Sequence, residues 1–233
     1  MTGCAFAGRR VALAFAVLLV TLGFCLSPVL ASPGLASNVT DAGRVVSIKG
    51  DAKRSDGAGM TELKKGSALF VGDTLETGPD ARLKVRFRDG STLSLSGAAS
   101  LVIDDMIYDA RDAEGDRNSQ GFQFLSGVFR YVSGTIAKAK PEQVALTTPV
   151  ATIGIRGTDV IFGVLTVGMP EGTAHYGFNI QEGAVEIDAP GGSVILKQPG
   201  EGTFLPLARE AAPTPVRQWT QEELQEALDL LAF

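Results

Sequence analysis

His175 is the sole histidine among the 233 residues, so any imidazole chemistry, whether proton relay or metal ligation, would have to be built on one ring. It stands in Thr173-Ala174-His175-Tyr176-Gly177-Phe178, an alternation that reads as a strand with the histidine at its surface or half-buried. Nucleophilic catalysis finds no Gly-x-Ser-x-Gly elbow, the sharp turn that presents a serine hydroxyl to a base. Both cysteines, Cys4 and Cys25, lie within residues 1–31, the expected signal segment. Once that segment is removed, no thiolate, disulfide or cysteine metal site remains. Acids are more plentiful. Asp104-Asp105 and the run Asp109, Asp112, Glu114, Asp116 are the oxygen ligands that hard cations take, but their spacing is not that of an EF-hand loop and reads as a solvated loop. A glycosidase pair needs two carboxyls held about 5 to 10 Å apart across a cleft, and no motif points to one. The glycines precede strands rather than helices, so no phosphate-cradling loop is present. The residue types thus predict a non-enzyme with no catalytic residue, no cofactor and no metal, acting by recognition.

What it meets is constrained by its N-terminus and its charge. Arg9 and Arg10 precede an uncharged apolar run from Val11 to Leu26. The run is shorter than the roughly 20 residues of a spanning helix, and Ser27 and Pro28 break it before Val29-Leu30-Ala31, the small-residue pattern of a secretory cleavage site. Residues 1–31 are therefore expected to be a signal peptide cleaved after Ala31, with a second small-residue site at Gly34-Leu35-Ala36 and an uncleaved N-terminal membrane anchor as alternatives. Leu22-Gly23-Phe24-Cys25 resembles a lipidation site except that Phe24 stands where a small residue is required. Cleavage would remove Arg9 and Arg10 and no acid, leaving 19 basic against 26 acidic residues and moving the net charge from −5 to −7. So acidic a product has no electrostatic basis for binding nucleic acid or anionic lipid, and the expected location is periplasmic or secreted.

The elements that must position a recognition surface are strands. Leu83-Lys84-Val85-Arg86-Phe87-Arg88 alternates apolar and basic residues, Asp89-Gly90 supplies a tight turn, and Ser91-Thr92-Leu93-Ser94-Leu95 resumes the alternation, which together predict a β-hairpin. Gly43, Gly127 and Gly183 each precede an alternating strand, the mark of a sheet that turns corners at glycines. Asp104 to Gln120 reads as an exposed loop. At the C-terminus the period changes. Thr220 with Glu223 forms a capping box, Trp219 is placed to staple onto Leu224, and Leu224, Ala227, Leu228 and Leu231 make one stripe. That stripe packs on the domain's own sheet or docks a partner.

Two stretches are more specific. The first runs from Gly66 to Gly78 through Gly72-Asp73, and continues into the hairpin with Asp89-Gly90-Ser91. The second is Thr147-Thr148-Pro149-Val150-Ala151-Thr152-Ile153-Gly154-Ile155-Arg156-Gly157-Thr158-Asp159-Val160. In this order they resemble the FecR domain family, over roughly Gly43 to Ile187. The resemblance implies a rolled or β-helix-like all-β module and an extracytoplasmic binding or signal-relay role. The family's best-known members add a cytoplasmic anti-sigma segment and a membrane helix. Only ten residues precede the apolar run here, so a stand-alone extracytoplasmic form is expected, without direct sigma-factor or iron control.

The expected organisation is a signal peptide at 1–31, a FecR-like β domain at 38–207, a linker at 208–218 and a C-terminal helix at 219–233. Gly72, Asp73, Asp89, Gly90, Pro149, Gly154, Gly157 and Thr158 are expected to be structural. Arg156, flanked by glycines, either pairs with a carboxylate such as Asp159 or receives a partner's acid group, and Leu224 and Leu228 either pack internally or meet a partner. That partner is an envelope protein or a cell-wall polymer, with a glycan-associated envelope scaffold as the other function in view.

Overall fold

Leu83, Val85 and Phe87 are buried while Lys84 and Arg86 turn outward, so the alternating text at Arg82–Phe87 folds as the strand it predicts. The same period builds most of the molecule. The structure is a computed structural model that describes residues 40–113, 115–168, 174–207 and 211–233. The segment 1–31, with Cys4, Cys25 and the cleavage site after Ala31, lies outside the described residues. Among the described residues no helix is long and apolar enough to cross a membrane.

In chain order the strands are β1 (Asp41–Lys49), β2 (Ala52–Ser55), β3 (Met60–Glu62), β4 (Ala68–Phe70), β5 (Thr74–Thr77), β6 (Arg82–Phe87), β7 (Thr92–Leu95) and β8 (Ser100–Ile107). There follow β9 (Ser119–Ser126), β10 (Val128–Val132), a short helix α1 (Thr135–Ala139), β11 (Val144–Thr147), β12 (Thr152–Leu165), β13 (His175–Ala189), β14 (Gly192–Leu196), β15 (Glu201–Pro206), β16 (Arg217–Gln218) and helix α2 (Gln221–Leu231). All sixteen strands belong to one sheet. The loop between β8 and β9 is shorter than the polar text implied, because β8 runs on to Ile107 and buries Met106.

The sheet forks at β12. One edge of β12 pairs with β13 along most of its length. The other edge is shared, with Thr152 and Ile153 pairing with β11 and Asp159 to Gly163 pairing with β10. From β10 one arm continues through β7, β6, β1 and β4, and from β11 the other continues through β9, β8, β5, β2 and β3. The chain passes repeatedly from one arm to the other, at Gly50-Asp51, at Val71-Gly72-Asp73, after β7 and at Gly127. Connections that short hold the arms against each other, and the sheet is accordingly rolled. Of the two forms open from sequence, the rolled one is observed. Among the described residues the pairs are antiparallel except β9 with β11, whereas a β-helix stacks parallel coils.

The core lies between the arms. Phe124 on β9 meets Phe129 on β10 at 4.8 Å and Phe162 on β12 at 4.7 Å, both edge-on, and Phe87 on β6 meets Phe122 on β9 at 4.5 Å. Each such ring contributes roughly 1.5–3 kcal/mol by leaving water. A buried polar chain crosses the same space. Tyr131 donates to Gln120 Oε1 at 2.5 Å, Gln120 donates to Ser91 Oγ at 2.8 Å, and Ser91 Oγ donates to Asp89 Oδ1 at 2.6 Å. Burial, with the Asp89 carboxylate nearby, pushes the Tyr131 phenol well above its ordinary pKa.

At the Val71-Gly72-Asp73 crossing, Asp73 is 1% exposed and accepts from the Phe70 amide at 2.8 Å and from Arg54 Nη1 at 2.9 Å. The Arg54 guanidinium in turn lies over the Phe70 ring at 5.1 Å. The Gly72-Asp73 turn expected from sequence is thus a clasp between arms.

The C-terminal helix forms with its capping box. Thr220 Oγ1 accepts from the Glu223 amide and Glu223 accepts from the Thr220 amide. Trp219, Ala227 and Leu231 are buried with Val128, Ile161, Leu165 and Phe204 in a second cluster, and Leu224 and Leu228 pack on it half-buried. Of the two roles left open for the apolar stripe, internal packing is the one observed. Residues 211–218 are laid along β15 by hydrogen bonds from the Thr214 amide to the Phe204 carbonyl and by pairing of Arg217 and Gln218 with Gly202 and Glu201. His175 is 8% exposed and packs on Phe204 at 4.0 Å, and Phe204 stacks on Trp219 at 4.9 Å.

Asp73→Ala removes one partner of a largely buried ion pair and frees the Phe70 amide. It is expected to lower the unfolding free energy by about 3 kcal/mol, read as a lower urea midpoint at unchanged slope. The C-terminal cap gives a pH dependence. Desolvation holds the His175 imidazole below its ordinary 6.5 against the opposing pull of Glu223 and Glu226, so below that pH the unfolded chain binds the proton more readily and stability falls. Hydrogen bonding from Arg217 holds Glu223 below 4.5, and its stabilisation is present above that value and lost as the pH falls through the folded pKa. Trp219 fluorescence followed from neutral to acid pH is expected to show both losses, and Glu223→Gln to abolish the lower one.

Candidate functional site

Arg156 is the one basic residue of the second sequence motif and is exposed, and its position follows from a bulge in β12. Ile153 and Ile155 point into the core and Thr152, Gly154 and Arg156 point out. At Gly157, with φ +57°, the pairing register with β13 shifts. An L side chain is strained at that φ, and a Cβ on the facing Gly183 would strike the Gly157 carbonyl. Glycine at both positions is therefore a requirement of the bulge. Thr158, 3% exposed, then locks it. Its Oγ1 accepts from the Arg156 amide at 3.1 Å and donates to the Ala184 carbonyl at 2.8 Å, while its own amide donates to Ser133 Oγ at 2.8 Å. Arg156 is thus presented from a fixed backbone.

The bulge also reverses which side chains face outward. Asp159 comes to the outer surface, where Arg130 on β10 takes it bidentately, Nε at 2.9 Å and Nη2 at 2.6 Å. The pairing of Asp159 with Arg156 proposed from sequence is therefore not made. Strict alternation puts these two residues on opposite faces, the bulge brings Asp159 to the outer face against Arg130 instead, and among the described residues Arg156 makes no ion pair.

Around Arg156 the sheet face is an open groove of about 560 Å³, lined by Glu142, Arg156, Ala184, Glu186, Ile195 and Lys197 among others. Its floor is low because Gly154 faces Glu186 and Arg156 faces Ala184 across the β12–β13 ladder. One wall is β14, which among the described strands has only β13 as a partner, and there Ile195 is 47% exposed. An edge strand with unpaired backbone groups accepts an added strand. A guanidinium that makes no ion pair among the described residues, next to such an edge and an apolar contact, is equipped to bind an extended segment carrying an acid group. Lys197, Glu186, Ile195 and Glu142 escaped the sequence reading. The signal for Glu186 and Ile195 was the alternation of Gly183 to Leu196, two paired strands that set these residues opposite each other on the outer face.

The other motif residues serve the frame. Asp89 is 3% exposed and accepts from the Ser91 amide, Gly90 occupies the hairpin turn at φ +85°, and Gly72 occupies the arm crossing at φ +90°. Pro149 sits in the turn from β11 to β12, held by Thr148 Oγ1, which accepts from the Ala151 amide at 2.9 Å. Leu224 and Leu228 lie on α2, away from the groove. Among the described residues no three His, Cys, Asp or Glu side chains gather to hold a metal ion. Asp109 of the acidic loop is held below its ordinary pKa by Arg111, a local pair in the loop.

Residues 73–186 match the family model described as FecR protein, a span that starts at the Asp73 clasp and ends at Glu186 in the groove. No curated protein matches the chain. Two crystal structures of a candidate anti-sigma factor from Parabacteroides distasonis align with a TM-score of 0.46 and 12% identity, covering 65% of this chain and 62% of theirs. The chain therefore spans less than two thirds of that protein's length.

Thr158→Val keeps the shape of the side chain and removes the hydroxyl that satisfies Arg156 N–H and Ala184 C=O. It is expected to cost about 1–3 kcal/mol and to speed amide exchange at Arg156 more than at Ile161, as read by hydrogen exchange.

Proposed function

We propose that this chain, which carries a FecR domain across residues 73–186, is an extracytoplasmic, non-catalytic binding module that relays a signal by engaging an envelope protein at the Arg156 groove. The observation that carries this is the unpaired, exposed Arg156 on a locked bulge inside the span that the family model matches. The charge pattern of Arg9-Arg10 and the apolar run to Leu26 support export. In the alternative, a structural envelope scaffold would hold glycan through exposed aromatic rings. Phe122, Phe124, Phe129, Tyr131, Phe162 and Phe178 are instead turned into the core, which favours a protein partner.

In-cell crosslinking from a photoreactive residue at Ile195 tests both function and location. The expected result is one envelope protein captured by a chain that begins at Ser32, with capture falling at least about tenfold for Arg156→Glu, the loss typical of removing a charge-paired contact. Capture that is indifferent to Arg156→Glu, or of cell-wall material alone, would replace relay by the scaffold. A chain still beginning at Met1 would make it membrane-anchored.

A further inference from the structure

The outer face of β1 and β6 carries an electrostatic cost that the fold itself does not explain. Arg44 stands directly across from Arg86 and Lys49 directly across from Arg82, with Lys84 opposite Ser47 between them. Like charges opposite one another weaken a strand pair. The relief available is slight, since Asp41 approaches Arg44 at 3.8 Å with both side chains well exposed, and Lys49, Lys84 and Arg86 make no ion pair among the described residues. Val46, lifted out at a bulge, adds an apolar residue that is 38% exposed. In a chain of net charge −5, this cluster is not a by-product of a basic composition.

The same face continues across β7 through short hydroxyl side chains. Lys84 aligns with Ser94 and Ser94 with Arg130, while Arg86 aligns with Thr92 and Thr92 with Val132. Beyond them, over Val128 and Ile161, lies α2. A helix is about 10–12 Å across with its side chains, so α2 stands as a ridge beside the low β7 strip and the β1–β6 shelf. Its outward side presents Glu222, Gln225 and Asp229, all exposed, and the helix contains no lysine or arginine.

We infer that this face is where two copies of the chain meet, each setting its acidic α2 ridge on the basic β1–β6 shelf of the other. Ridge and shelf lie on opposite sides of β7 on one face. A two-fold axis running along β7 in the interface therefore brings each onto its complement and closes the pair, as an isologous dimer requires. The step in height supplies the shape match, and the opposite charges set the register. The surface is separate from the Arg156 groove, which lies beyond the bulge at the other end of β12.

Sedimentation equilibrium of the protein purified from cells expressing the full chain tests this. The expected result is a dimer whose dissociation constant rises at least about tenfold between about 0.1 M and about 1 M salt, as the Debye length shrinks from about 10 to about 3 Å. Lys84→Glu with Arg86→Glu in one variant, and Glu222→Lys with Asp229→Lys in another, are each expected to be monomeric and folded, the first melting no lower than wild type because Arg44 then faces a carboxylate, and their equimolar mixture to dimerise again. Should charge reversal unfold the sheet, Lys84→Gln with Arg86→Gln removes the two charges while keeping polar side chains and is expected to weaken the dimer in the same direction. A wild-type protein that stays monomeric at every concentration, even one that captures an acidic partner of another kind, overturns the proposal. So does a dimer that persists in both variants, or a mixture that does not reassociate.

Discussion

One edge of β12 has to serve two strands. β11 and β10 both pair with it, and between their stations the ladder must be interrupted so that two arms can leave in different directions. The Gly157-Thr158 bulge sits at that interruption, and its hydrogen bonds go to both sides, to Ser133 at the end of the β10 arm and to Ala184 on β13. Without an inserted residue the ladder would run on flat, and the arms would have no reason to face each other. The bulge thus sets the angle that lets Phe124 on one arm reach Phe129 on the other and Phe162 on β12 itself.

How much of this could be read beforehand depended on how local the cause was. The β6–β7 hairpin, the capping box of α2 and its apolar stripe were legible, because alternation, a turn pair and a cap each act within a few residues. The fork was not legible. It depends on which distant strands share β12, and nothing in a window of text around Thr152 encodes that β11 and β10 divide its edge. For the same reason the partner that Asp159 takes, Arg130 on β10, was not legible. Alternation counted through Gly157 puts Arg156 and Asp159 on opposite faces, whereas the bulge carries Asp159 outward to Arg130, and among the described residues Arg156 makes no ion pair. The groove itself was half legible. Its cation stood out between two glycines, but Glu142 arrives from the 3-10 turn that follows α1, and only the packed fold brings it there.

Two devices make the closed roll specific. The Asp73–Arg54 pair fastens the arms at one crossing, and the Tyr131–Gln120–Ser91–Asp89 chain ties β10, β9 and the β6–β7 turn together inside the core. A buried polar chain of this sort stabilises little beyond what an apolar core would, but a slipped register would strand its donors without acceptors. It therefore discriminates between alternative pairings of strands that look alike, which matters in a sheet made mostly of short, similar, alternating segments.

The repeated passage of the chain between arms has a kinetic meaning. Contacts such as Ser91 with Gln120, or Leu75 with Leu101, join residues well apart in the chain, and each requires a loop to be closed before it returns any stabilisation. Neither arm has its common strand until β12 has been made. A chain emerging from its N-terminus therefore holds most of both arms before it can register them. The roll therefore closes only once the last third of the chain, from β12 onward, has been added.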